Sequence, residues 1–318
     1  AADRNLRLDQ NRTIGNLINA TNLAVIIPPA LTLIVNNNLQ SEVATKLYNQ
    51  ASTTLPNGSI IYRNSQSLPA YGTVQMYSPA SWDKSRPINQ KYNWQYFGIP
   101  LSTVNALPIF YGAYVRELLE YDNDTTTHWR MLTNESVLVP FKGYELCQQT
   151  SNTLYTFAGQ LINSNYNSGQ FVKTIRQIEF GTGVEETAYL YNTGTFTSWK
   201  NNPIKSGTLT DPVPGQYFAA PKNQAGDIPG IPRQVPSMGT FMVRIPKLGL
   251  STEQSYINIT YNAVAMGNTS RQTAKSHTLA EEQTLTSIQV EGEFGVDRMW
   301  VASHDNYLRS FDNGYNIK

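Results

Sequence analysis

Leu23-Ala24-Val25-Ile26-Ile27-Pro28-Pro29-Ala30-Leu31-Thr32-Leu33-Ile34-Val35 is the longest apolar stretch of the chain. Prolines 28 and 29 and Thr32 interrupt it, and it is shorter than the ~20 residues of a membrane-spanning helix. It reads as two short extended pieces hinged at the proline pair, because β-branched residues favour strands and proline ends them. No membrane span is expected. Ahead of it, Asp3, Arg4, Arg7 and Asp9 lack the charged, apolar and small-residue order of a signal peptide, so the start reads as a mature end. Residues 1–35 therefore make an extended N-terminal arm, irregular over 1–22, whose apolar strips pair with a sheet edge of this chain or of a neighbour. Beyond it, Val43, Leu47 and Tyr48 fall at helical spacing and predict a helix over 39–51.

The rest of the chain repeats the β signal: runs of Thr, Val, Ile, Tyr and Phe separated by Gly, Pro or Asn clusters. Strands are expected at 59–63, 73–77, 107–115 and 136–141, at 144–148 paired with 154–158, and at 171–180. Further strands are expected at 239–246, 255–265, 285–291 and 298–303. Seven prolines between 199 and 239 (203, 212, 214, 221, 229, 232 and 236) predict one long surface loop without a regular element. No internal repeat is found. This pattern fits a single β domain over 1–318, a sandwich or jelly roll carrying large inserted loops. A split at the proline-rich stretch is the alternative.

Composition narrows the function. Lys plus Arg is 24 and Asp plus Glu 23, so the net charge is only +1, which excludes a polybasic nucleic-acid binder. Polarity comes instead from uncharged residues, with 30 Asn and 31 Thr. The single cysteine, Cys147, excludes an internal disulfide framework and a thiolate zinc cluster. His128, His277 and His304 each stand apart from any second ligand at metal spacing. His128 beside Trp129 reads as a loop histidine rather than a pH-sensitive contact.

His304-Asp305-Asn306-Tyr307 has the His-Asp order of a secreted-type phospholipase dyad, but one residue rather than two separates Asp from Tyr and no calcium loop accompanies it. No G-x-S-x-G turn, P-loop or GxGxxG fingerprint occurs. A glycosidase pair drawn from Glu117, Glu120, Glu185, Glu186, Glu291 and Glu293 stays open, with a solvated turn the simpler reading of Glu185-Glu186. Asp122, Asn123 and Asp124 lack the EF-hand pattern and read as a capped turn. Seven Asn-x-Ser/Thr sequons, at Asn11, Asn19, Asn57, Asn123, Asn134, Asn258 and Asn268, are close to what so many Asn and Thr produce by chance. No catalytic, cofactor-binding or metal-binding residue is assigned, no cofactor is expected, and an enzyme is the least favoured class. Tyr92, Trp94, Tyr96 and Phe97 form an aromatic cluster able to stack bases or sugars; with few cations interleaved, a protein interface is preferred.

Ala106-Leu107-Pro108-Ile109-Phe110-Tyr111-Gly112-Ala113-Tyr114-Val115-Arg116-Glu117-Leu118 resembles an early jelly-roll strand of parvovirus capsid proteins, densoviruses in particular. Pro236-Ser237-Met238-Gly239-Thr240-Phe241-Met242-Val243-Arg244-Ile245-Pro246, followed by 255–265, is similar to their late P-x-M-G-x-F-x-x-R-x-P passage. The glycine-rich tract and phospholipase domain of such proteins are absent. The resemblance implies an eight-stranded jelly roll and self-assembly of identical subunits into an icosahedral T=1 shell of about sixty copies. It further implies a single-stranded DNA genome held inside without sequence specificity. Attachment to a host-cell receptor, glycans included, and a place in the virion after assembly in the host nucleus follow in the same way. A capsid subunit of a picorna-like RNA virus shares the fold. A β-sandwich lectin or adhesin module is the alternative from another class.

Overall fold

The computed structural model describes residues 5–19, 23–64, 69–85, 91–118, 129–150, 152–162, 173–175, 178–191, 217–225, 234–235, 237–245, 254–258, 284–292 and 295–303. The chain is mainly β, as the sequence leads one to expect.

Its first seven strands are β1 (Leu6–Arg7), β2 (Arg12–Ile18), β3 (Val25–Ile27), β4 (Thr32–Gln40), β5 (Leu47–Asn49), β6 (Ser59–Tyr62) and β7 (Tyr71–Ser78). Odd-numbered strands β1, β3, β5 and β7 pair side by side, all parallel. The even-numbered β2, β4 and β6 pair in parallel as a second sheet. Successive strands thus alternate between two walls, and the chain winds as a parallel coil. Leu6 lies beside Val25, Val25 beside Leu47 and Tyr48 beside Thr73, so one turn takes roughly 20 to 25 residues. Parallel strands buried on both faces need near-continuous apolar runs. Thr32 to Val35 and Ser59 to Tyr62 supply them, every residue being buried.

Asparagine closes the turns. Oδ1 of Asn5 accepts from the Ala24 N–H at 2.9 Å, Oδ1 of Asn11 from the Thr32 N–H at 2.8 Å, and Nδ2 of Asn19 donates to the carbonyls of Leu23 and Lys46. A backbone that changes wall leaves polar groups outside the ladder, and a short amide side chain satisfies them. The Asn-rich composition is in part this corner chemistry. Inside the coil, the Thr32 and Ser59 hydroxyls share a hydrogen bond of 2.9 Å between facing register partners. At Gly58 the chain passes so close to the Ile27 and Pro28 carbonyl oxygens that a Cβ would press into both. Only glycine fits that crossing.

The strands that follow the coil pair antiparallel. They are β8 (Ser81–Trp82), β9 (Tyr92–Asn93), β10 (Gln95–Phe97), β11 (Val104–Asn105), β12 (Tyr114–Leu118), β13 (Trp129–Met131), β14 (Val137–Leu138), β15 (Tyr144–Cys147) and β16 (Thr153–Gln160). Strand β16 runs antiparallel to the whole of β7 and completes a five-stranded sheet. Strands β10, β15, β12 and β13 form a four-stranded sheet in that order. Gly72 and Gly159 stand opposite one another in β7 and β16, and Leu161 and Leu101 fill the notch they leave.

Side chains from all three sheets meet in one core. Val25, Ile27 and Leu47 come from the coil's first wall and Leu33, Val35, Ile60 and Tyr62 from its second; Phe97, Val115, Tyr144 and Leu146 come from the four-stranded sheet, and Tyr155 and Phe157 from β16. Phe110 stacks obliquely on Phe97, Tyr155 and Phe157 at 5.2–5.9 Å between ring centres.

Farther on are β17 (Lys173–Thr174), β18 (Glu179–Phe180), β19 (Thr187–Tyr191), β20 (Tyr217–Pro221), β21 (Gln234–Val235), β22 (Ile257–Asn258), β23 (Thr284–Gly292) and β24 (Gly295–Ser303). Pairs β17–β21 and β19–β20 enclose a second cluster of Ile175, Ala188, Leu190, Ala220, Ala225 and Val235. Strands β23 and β24 form a hairpin.

Several expectations change. The sheets share a sandwich-like core, but the described pairings are not the antiparallel order of an eight-stranded jelly roll, since seven strands run parallel. The described residues of the arm, 5–19 and 23–35, pair within this chain, one of the two placements expected, and do so as strands of the first coil turns rather than as an irregular segment. Residues 39–51 hold a corner, a single 3-10 turn at Ala44–Lys46 and β5 in place of a helix. Residues 107–115 hold the end of a short helical turn, Ala106–Ile109, and the start of β12 rather than one strand. The stretches at 144–148 and 154–158 are strands, yet β15 pairs with β10 and β12 while β16 pairs with β7. Regular structure also enters the proline-rich 199–239 region as β20 and β21, where Ala220 and Val235 are fully buried.

Candidate functional site

The four-stranded sheet carries the densest chemistry. Side chains alternate across a strand, and register places Tyr96, Glu145, Arg116 and Met131 in one row over its outer face. Tyr114 lies beside Cys147 on the same face. Phe97, Tyr144 and Glu117 occupy the neighbouring row on the core face.

At the centre of the outer face, Arg116 Nε donates to Glu145 Oε2. The Arg116 guanidinium lies between two indoles, 3.9 Å from the Trp94 ring centre and 4.7 Å from that of Trp129. Glu145 is only 2% exposed. Burial pushes its carboxyl above the usual range, against the pull of Arg116. Rings continue outward on both sides. Trp82 meets Tyr114 at 4.8 Å, Tyr114 meets Tyr92 edge-on at 6.0 Å, and Tyr92 meets Trp94 at 5.5 Å. On the other flank, Trp129 stacks on Tyr96 at 5.9 Å, and Tyr96 touches Tyr191 and Tyr217. The Tyr96 and Tyr217 hydroxyls are hydrogen-bonded, joining β10 to β20. Tyr114 and Tyr217 are exposed, while Trp82, Tyr92, Trp94 and Trp129 are half-buried. Cys147 is buried beneath this face, and desolvation pushes its thiol up to about 12, so it is an inert core residue.

On the core side, Glu117 binds both Arg130 and Lys142. Burial, the largest single influence, raises its carboxyl, and the two cations together outweigh it, leaving the group below the ordinary 4.5. The sign follows from linkage: Glu117 contributes stability above its unfolded value, which is lost as pH falls through the lower folded one. Glu145 acts oppositely, favouring the fold below its unfolded value and losing that contribution as pH rises through the folded one. Glu117→Gln is therefore expected to flatten the acid limb of stability. Urea unfolding between about pH 5 and pH 3 checks this, and parallel curves for parent and variant overturn it.

The residues singled out in the sequence scatter. Of the aromatic cluster, Trp94 and Tyr96 reach the outer sheet face and Tyr92 joins them, while Phe97 turns into the core. Glu185 accepts from the Tyr189 hydroxyl at 2.9 Å, Glu186 faces Lys222 at 3.9 Å, and Glu291 lies in β23. Glu120, Glu293, all three histidines and Asp122 to Asp124 lie outside the described residues. Among the described residues no cluster of His, Cys, Asp and Glu assembles for a metal, and no helix is long and apolar enough to cross a membrane. Arg116, Glu145, Trp129 and Tyr217 were not singled out as site residues from sequence; strand register brings Glu145 and Arg116 into the row of Tyr96, and side-chain contacts bring Trp129 and Tyr217 to it.

The chain is 27% identical to the minor fimbrium subunit Mfa5 of Porphyromonas gingivalis, in an alignment covering 99% of this chain and 28% of that protein. It thus spans under a third of the relative's length. No protein-family model matches the chain, and no solved structure does.

This similarity overturns the parvovirus capsid expectation and all that hung on it: the icosahedral shell of about sixty copies, the enclosed single-stranded DNA, viral attachment to a host receptor, assembly in the nucleus and a place in the virion. The picorna-like variant falls with it. Physically, the two passages that carried the viral resemblance are short and folded differently. The first is a helical turn followed by β12. In the second, the described residues 237–245 form a loop whose Met238 carbonyl accepts from the Gly98 N–H and whose Met242 bridges to Tyr189.

Proposed function

We propose that this chain is part of a bacterial fimbrial surface subunit with a role in adhesion, and that it acts by contact rather than by covalent chemistry. The observation that carries this reading is the similarity to a fimbrium subunit along nearly the whole chain. The mainly β architecture and the partly exposed aromatic face support it, since Tyr and Trp on a rigid sheet give large contact area at low entropic cost. Of the two non-viral alternatives raised by the sequence, the adhesin module fits this better than a glycosidase. Immunogold labelling of the encoding bacterium with antibody to this chain tests it. Gold on surface filaments is expected; label confined to the cell interior overturns the reading.

A further inference from the structure

We infer that the outer face of the four-stranded sheet is a binding site for neutral glycans, with pyranose rings stacked along the row Trp82, Tyr114, Tyr92, Trp94 and Trp129. The inference rests on the surface-adhesin reading and names its ligand class. Ring-to-ring contact runs unbroken from Trp82 through Tyr114 and Tyr92 to Trp94, and the Arg116 guanidinium bridges Trp94 to Trp129. A row of partly exposed rings with a few fixed polar groups is how a small-molecule surface is usually made.

Charge selects the ligand. The central cation, Arg116, is compensated by Glu145. A second cation beside these rings is Lys91, whose ammonium lies 5.8 Å from the Tyr92 ring centre. Nucleic acids and sulfated or sialylated polymers draw affinity from several uncompensated cations, whereas the cation at the centre of this face is paired with a carboxylate. A hydroxyl-rich neutral polymer asks for something else: flat apolar walls for its C–H faces and N–H donors for its hydroxyls. A guanidinium has five N–H donors and keeps them when its charge is balanced. Arg116 spends its Nε–H on Glu145 and is held in place by two indoles, so its remaining donors are presented in a fixed orientation at no ordering cost on binding.

The test uses the purified chain and an array carrying neutral mannans, glucans and galactans beside heparin and sialylated oligosaccharides. Retention of at least one neutral glycan is expected, little changed from about 0.05 to 0.5 M salt. Trp94→Ala is expected to weaken it roughly tenfold or more. Tyr114→Ala, at an exposed ring whose removal leaves the core untouched, is the second variant and is expected to weaken it several-fold. Far-ultraviolet circular dichroism verifies the fold of each. The inference is overturned if no neutral glycan is retained, if only anionic glycans bind and salt releases them, or if both variants bind like the parent. Gold on surface filaments together with an empty array leaves the fimbrial reading standing and removes this one.

Discussion

Arg116→Ala is expected to lower the free energy of unfolding by about 3–5 kcal/mol, the cost of stranding one member of a buried ion pair. Its partner Glu145 is 2% exposed. Burial already holds that carboxyl above its usual range with the guanidinium present, so removing the cation leaves the penalty opposed only by the Tyr96 hydroxyl. The same substitution removes the stacking of Arg116 on Trp94 and Trp129. Replacing both members, as in Arg116→Met with Glu145→Leu, is expected to recover most of the loss, because paired apolar replacements of buried charges are often neutral or stabilising. Urea denaturation of parent, single and double variants measures this. A single variant within about 1 kcal/mol of the parent contradicts the buried pair.

Phe97→Ala tests the other face of the same sheet, with an expected loss of about 3–5 kcal/mol. Phe97 is fully buried and touches Phe110 at 5.3 Å and Tyr144 at 5.8 Å. Those neighbours are held by separate elements: Tyr144 is fixed in β15 and its hydroxyl accepts from the Val139 N–H, while Phe110 is also packed by Tyr155 and Phe157. A site pinned from two sides by separately held rings collapses little, which places the cost at the upper end for a cavity. Phe97→Leu keeps most of the volume and is expected to cost less than half as much. Equal midpoints for the two variants would show that volume is not what the site requires.

Strand content was legible in the sequence because it is local: 23–35 and 59–63 are β-branched and bounded by turn residues, and both form strands. Pairing was not, since parallel neighbours are set by residues about 20 or more positions apart and an apolar run reads alike in either direction. The coil also left no detectable repeat, because its turns differ in length and its corners are closed by asparagines at unequal spacings. The helix expected at 39–51 rested on Val43, Leu47 and Tyr48. Val43 is 47% exposed and Leu47 2%, so the three do not share a buried stripe. At the site, composition pointed to Trp94 and Tyr96. Arg116 and Glu145, far apart in sequence, meet only because β12 and β15 are register partners.

The placement of β7 has a mechanical consequence. It is the last rung of the coil and, along its full length, the partner of β16. Tension drawn through the first strand meets the two pairs of β1, the six of β2, the three of β3, the four of β4 and the two that join β5 to β7, and only afterwards the eight-pair ladder. Rungs would peel in sequence, each paying out roughly 70–90 Å of slack at ~3.3–3.6 Å per residue. Under a pull, such staged yielding dissipates the load before it reaches the sheet that bears the aromatic rings.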